Sequence, residues 1–148
     1  MSSLATPPSI DWQEAHHWPI RVYYEDTDAG GVVFYANYLK FMERARTEWL
    51  RTLEISQQYL ARTHGVIFVV SQLDMQYKLP ARLDDALSVE TVVTSVGRAS
   101  MTFAQRVTRH CAVLALGDIR VGCVDTRSFK PTALPADVRK QVLLLTKR

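Results

Sequence analysis

Between about Tyr35 and Leu53, apolar residues recur at helical spacing over an arc too wide for a helix that merely lies on a surface. Wound at about 100° per residue, Tyr38, Phe41, Met42, Ala45, Trp49 and Leu53 share a face flanked by Leu39 and Leu50; Lys40, Glu43, Arg44, Thr47, Glu48 and Arg51 fall opposite. The arc takes in about half the helix, against the ~100° stripe of an ordinary surface helix. Such a helix has to be enclosed, and a curved sheet can enclose it. Arg46 is the misfit inside the arc. It either reaches past its apolar neighbours to water or pairs with a carboxylate at a subunit contact.

The rest of the chain supplies that sheet. After a shorter helical piece around Ser56 to Thr63, Gly65 opens a long β region in which Leu73, Met75, Tyr77 and Leu79 alternate with Gln72, Asp74, Gln76 and Lys78. A strict period of two argues for a half-buried strand, which Pro80 stops. Further strands are expected at about 86–96, 100–109 and 112–129, with turns at Gly97 and near His110 and with Gly117 and Gly122 as sites of a bulge or bend. Pro131 and Pro135 end the last strand before a final helix. With a first short strand from Arg21 to Tyr24, the expectation is an α+β fold, an antiparallel five-stranded curved sheet wrapped around one long helix. At 148 residues the chain is a single domain by size. Residues 1–17, with Pro7-Pro8 and no period, read as a flexible tail, and 18–148 as the domain.

The segment RVYYEDTDAGGVVFYANY, Arg21 to Tyr38, joins the first strand to the long helix. Glu25-Asp26-Thr27-Asp28 breaks the apolar run, and Ala29-Gly30-Gly31 permits a positive φ or a close backbone approach. The helical period begins within a few residues, so Asp28 and the unpaired N–H groups of a helix start face a common cleft. Acyl transfer needs that pairing: a base or nucleophile for the carbonyl carbon, and preorganised donors for the oxyanion formed on attack. An Asp before glycine is also an ordinary turn or N-cap signal, so spacing alone leaves both readings open.

The segment resembles the signature of the 4-hydroxybenzoyl-CoA thioesterase family, with Arg21, Val22, Thr27, Asp28, Gly31, Val32 and Val33 at its positions. The wider text, VYYEDTDAGGVV with ERARTE at Glu43 to Glu48 and PARLDD at Pro80 to Asp85, is similar to the Tol-Pal system-associated acyl-CoA thioesterase branch. The resemblance covers roughly Trp18 to Pro135 and departs at Tyr35, where that branch commonly has His. It implies a hotdog fold and hydrolysis of an acyl-CoA to free acid and CoA. Asp28 would act as nucleophile or general base, and the backbone N–H of Tyr35 would hold the oxyanion. Glu48 stands in reserve, since some related thioesterases carry a catalytic Glu on this helix. The resemblance also implies a site at a subunit interface, in a homodimer or homotetramer. Gly31, Arg82, Arg98 and Lys130 are the candidate substrate and CoA contacts. No metal or other cofactor is expected, because a thiolate is already a competent leaving group.

Composition narrows the rivals. The net charge of +3 is spread without a basic run, which favours an anionic ligand such as CoA and gives no support to nucleic-acid binding. Cys111 and Cys123 lack a C-x-x-C spacing and read as packing residues, and His16-His17 cannot act as an i, i+4 metal pair. The first twenty residues lack the apolar core of a secretory signal, and no run spans a bilayer, so a cytoplasmic protein is expected. The terminal Arg139, Lys140, Lys147 and Arg148 read as a solvated end, with peripheral contact to the inner membrane as the other reading. A hotdog hydratase needs an Asp-His pair, and His64 and His110 lie in no matching motif. The alternative to an enzyme is a non-catalytic module that binds an acyl thioester or acyl carrier protein within the cell-envelope Tol-Pal system.

Overall fold

The computed structural model describes residues 10–146. The elements are β1 (His16–Arg21), α1 (Asn37–Thr52), α2 (Gln57–Tyr59), β2 (Val66–Tyr77), β3 (Ala86–Val96), β4 (Ser100–Arg109), β5 (Ala112–Asp125) and α3 (Ala136–Thr146). All strand pairings are antiparallel, in the order β1-β3-β4-β5-β2. Consecutive strands β1 and β2 are therefore the two edges of a five-stranded sheet. The connection between them contains α1, which packs against β1, β3 and β4. This is the expected α+β hotdog architecture.

The apolar arc of α1 is the centre of the core: Tyr38, Phe41, Met42, Ala45, Trp49 and Leu50 are all buried. Trp49 meets Phe103 of β4 edge-on at 5.1 Å, an arrangement that aligns a ring's positive edge with its neighbour's negative face. Helix α3 packs against β3 with Val138 and Val142 fully buried.

Several local expectations give way. The first strand lies at His16–Arg21, earlier than Arg21 to Tyr24, and Tyr24–Asp26 is a 3₁₀ turn. His16 and His17 accordingly sit in the sheet, opposite Thr91 and Glu90, and Trp12 stacks over the guanidinium of Arg106 at 4.5 Å. The register irregularities fall at Val70/Gln72, Val93/Ser95 and Val107/Thr108, and neither Gly117 nor Gly122 carries one. Gly117 makes room for packing: a Cβ there would lie 2.7 Å from Sδ of Met75 and 3.1 Å from Sδ of Met42. The last strand stops at Asp125, whose carboxylate takes the N–H groups of Arg127 and Ser128 and turns the chain. Within the chain, Arg46 finds a side-chain partner on β4. Its Nη1 donates at 2.9 Å to Oε1 of the fully buried Gln105 on β4.

Candidate active site

Beyond β1 the chain keeps one more pair of hydrogen bonds to the β3 side, Val22 N–H to Asp85 O and Asp84 N–H to Val22 O. It then turns at Asp26, a carboxylate only 7% exposed. Asp26 Oδ2 accepts the Tyr23 N–H at 2.9 Å, its Oδ1 accepts from Asn37 Nδ2 at 3.2 Å, and its carbonyl accepts the Phe34 N–H at 3.0 Å. One buried acid thus ties the end of the strand to the first residue of α1. The sequence reading passed over it in favour of its neighbour; the available signal was an acid placed to accept main-chain N–H groups in a tight turn.

Asp28 lies in the loop that Asp26 anchors. Thr27 and Val33 pair as an isolated antiparallel bridge, Asp28 N–H donates to Val32 O at 2.9 Å, and Gly31 N–H donates to Asp28 O at 3.1 Å. The exposed Asp28 carboxylate takes the Gly30 N–H on Oδ1 at 2.8 Å. Among the described residues its Oδ2 has no protein partner.

Gly31 has φ +82°, and a Cβ there would meet nothing within 4 Å. Its requirement is conformational, not steric crowding. Gly31→Ala is expected to destabilise the chain by about 1 kcal/mol and to lower turnover further by displacing Asp28, whereas Gly31→Asn, which tolerates the left-handed region, keeps more of both. Urea unfolding beside a thioester hydrolysis assay checks this.

The wall opposite the loop is Pro80 to Asp85. Val32 bridges to Arg82, and Val33 N–H donates to Ala81 O at 2.8 Å. Ala81 N–H in turn donates to the buried hydroxyl of Tyr38 at 3.0 Å. Asp85 accepts from Arg82 N–H at 2.9 Å and from Arg109 Nη1 at 2.6 Å. Partial burial pushes the Asp85 carboxyl up, but these donors outweigh it and leave it below the usual carboxylate range. The Asp85 carboxylate is therefore committed to holding the wall, which Asp84 joins through its main-chain groups.

The start of α1 completes the arrangement. It has no side-chain cap, and the N–H groups of Asn37, Tyr38 and Leu39 turn back to the carbonyls of Phe34, Tyr35 and Ala36. Among the described residues the N–H groups of Tyr35 and Ala36 find no acceptor. Phe34, Tyr35, Tyr38 and Tyr77 form a run of touching rings beside them, with centroids 4.8 to 6.1 Å apart.

The structure sets Gly31, Arg82 and Tyr35 around the Asp28 loop, and places Arg98 and Lys130 elsewhere. Arg98 follows β3 and Lys130 follows β5, at the far end of the sheet, where Leu134 N–H donates to Arg98 O. Strand β3 separates the two ends by roughly 30 Å at ~3.3 Å per residue. Glu48 is bonded to Arg51 at 2.6 Å on α1. A cavity of about 460 Å³ between Trp49, Leu53, Val93 and Leu145 shares no residue with the Asp28 loop.

A family model described as the thioesterase superfamily matches residues 30–110. The acyl-CoA thioesterase YbgC of Haemophilus influenzae is 50% identical over 122 residues, covering 82% of this chain and 90% of that protein. The long-chain acyl-CoA thioesterase FadM of Escherichia coli is 28% identical over 114 residues, covering 76% and 85%. Among solved structures, a probable thioesterase from Bartonella henselae superposes with a TM-score of 0.77 at 30% identity, over 82% of this chain and 99% of that one. With the strand order, the enclosed helix and the loop that leads into it all in agreement, the chain belongs to the thioesterase superfamily.

Proposed function

We propose that this chain hydrolyses acyl-CoA thioesters to free acid and CoA, with the Asp28 carboxylate and the N–H groups of Tyr35 and Ala36 as its working parts. The observation that carries the reading is the pair of acceptor-free amides at the start of α1, two and three residues past the Val33 bridge that closes the Asp28 loop. The thioester oxygen sits against those amides, where the positive end of the helix dipole favours the charge that develops on attack. Asp28 either attacks the carbonyl carbon, giving a mixed anhydride that water then opens, or takes a proton from an attacking water. In both routes the C–S bond breaks and CoA leaves as thiolate, which needs no metal or other cofactor to depart.

Arg82, bridged to the Asp28 loop, is a phosphate contact that the same chain offers. Arg98 and Lys130 can join it only from a second copy. A homodimer or homotetramer accords with β2, an edge strand that leaves Val69, Val70, Leu73 and Tyr77 exposed along an unpaired rim. No helix among the described residues is long and apolar enough to cross a membrane, and a cytoplasmic site of action goes with a CoA substrate.

The test is thiol release from a panel of short-chain, long-chain and aromatic acyl-CoAs. Turnover of any class establishes the activity and names the acyl group. No turnover of any free acyl-CoA, with turnover of acylated carrier protein, changes the thiol carrier. No turnover of either leaves the Tol-Pal binding module.

A further inference from the structure

The two acceptor-free amides belong to a stretch with no side-chain cap of its own, so something outside the helix has to hold them. The residue in place to do so is Tyr77, the last of β2. Its hydroxyl donates to the carbonyl of Tyr35 at 3.2 Å, and its ring lies 5.4 Å from that of Tyr38 and edge-on to Tyr35 at 6.1 Å. The Tyr35 carbonyl and the Ala36 N–H are opposite ends of one planar trans peptide, so fixing the direction of the first fixes the direction of the second. The Tyr35 N–H, one Cα away, is restrained with it. The same carbonyl takes only a longer bond, 3.3 Å, from Tyr38 N–H within the helix start.

We propose that Tyr77 is a positioning residue for the thioesterase reaction: its phenol pins the Tyr35–Ala36 peptide from across the cleft so that the amides on either side of Tyr35 aim at the oxyanion. The inference rests on the reading of those amides given above. Partial burial, with the Tyr35 and Tyr38 phenols adding to it, pushes the Tyr77 phenol up, so the hydroxyl keeps its proton wherever the enzyme would work.

Tyr77→Phe keeps the ring and its aromatic neighbours and removes only the hydroxyl. Steady-state thiol release is measured for the wild type, Tyr77→Phe and Asp28→Asn with one acyl-CoA, together with the amide resonances of Tyr35 and Ala36 in the free proteins. The expected result is a kcat lowered roughly 10-fold in Tyr77→Phe, part of the ~10²- to 10³-fold that loss of an entire oxyanion donor costs. KM stays within about twofold and the amide shifts are confined to residues 34–37. An unchanged kcat overturns the proposal, and so does a raised KM with kcat intact, which would make the hydroxyl part of the substrate wall. If Asp28→Asn abolishes turnover while Tyr77→Phe does not, this inference fails alone. If both variants turn over like the wild type, the site reading fails with it.

Discussion

Replacing Asp28 by Asn lowers kcat for acyl-CoA hydrolysis by at least about 100-fold, the lower end of what a positioned general base contributes. The substitution is discriminating because the loop does not depend on the charge. An amide oxygen can still accept the Gly30 N–H that Oδ1 now takes at 2.8 Å, and the main-chain bonds to Val32 and Gly31 are untouched. What disappears is the carboxylate oxygen of Asp28, Oδ2, that has no protein partner among the described residues, the group both hydrolytic routes require. The measurement is thiol release by folded protein, with the thermal unfolding midpoint as a control. Glu48→Gln is the companion: Glu48 lies eleven residues past the first residue of α1 and is engaged by Arg51. At ~1.5 Å per residue that is roughly 16 Å from the helix start, so its loss leaves kcat near the wild-type value. Full activity in Asp28→Asn, with loss in Glu48→Gln, would put the chemistry elsewhere on the helix.

What could be read from the sequence depended on how local the cause was. The arc of α1 and the chain break before α3 are each set within a few residues, and both appear where the spacing puts them. The strand around Met75 forms too, but at the sheet edge, where Leu73, Tyr77 and Leu79 are exposed and the expected half-buried alternation is absent. Asp28 was legible as a candidate because its glycine-rich turn and the helix that follows are contiguous. Asp26 was not, because its importance lies in bonds to Phe34 and Asn37 across the loop. Tyr23 and Tyr24 read as strand by residue type, yet the Asp26 side chain captures the Tyr23 N–H and makes a turn there; a local side-chain bond overrode β propensity. Gly117 was read as a bend for want of knowledge of its neighbours, Met42 and Met75, which are distant in sequence. Arg98 and Lys130 were grouped with Arg82 on their positions near strand ends, although Arg82 precedes β3 and Arg98 follows it, at opposite ends of one strand.

The second large effect concerns two polar side chains that meet inside the core. Arg46 interrupts the apolar arc of α1, and Gln105 interrupts the alternation Met101, Phe103, Val107 on β4. In the fold they answer one another. Gln105, fully buried, accepts from Arg46 Nη1 at 2.9 Å and donates to Met42 O at 3.0 Å and Thr91 Oγ1 at 2.9 Å, so a single side chain joins α1, β3 and β4. Burial draws the Arg46 guanidinium down to about 10 while Glu43 opposes it, so the charge persists at neutral pH and needs its acceptor. Gln105→Leu therefore costs about 3 kcal/mol, the penalty for stranding buried donors and a half-buried charge, and that is a large share of the ~5–15 kcal/mol available to a domain. Urea unfolding midpoints check it. The decisive comparison is the double variant Arg46→Met/Gln105→Leu, which removes the stranded charge as well and is expected to be more stable than Gln105→Leu alone. A double variant less stable than the single one would mean that water entering the cavity of about 100 Å³ beside Arg46, between Thr47, Phe68 and Val70, already satisfies the guanidinium, and that Gln105 acts on the helix and β3 without it.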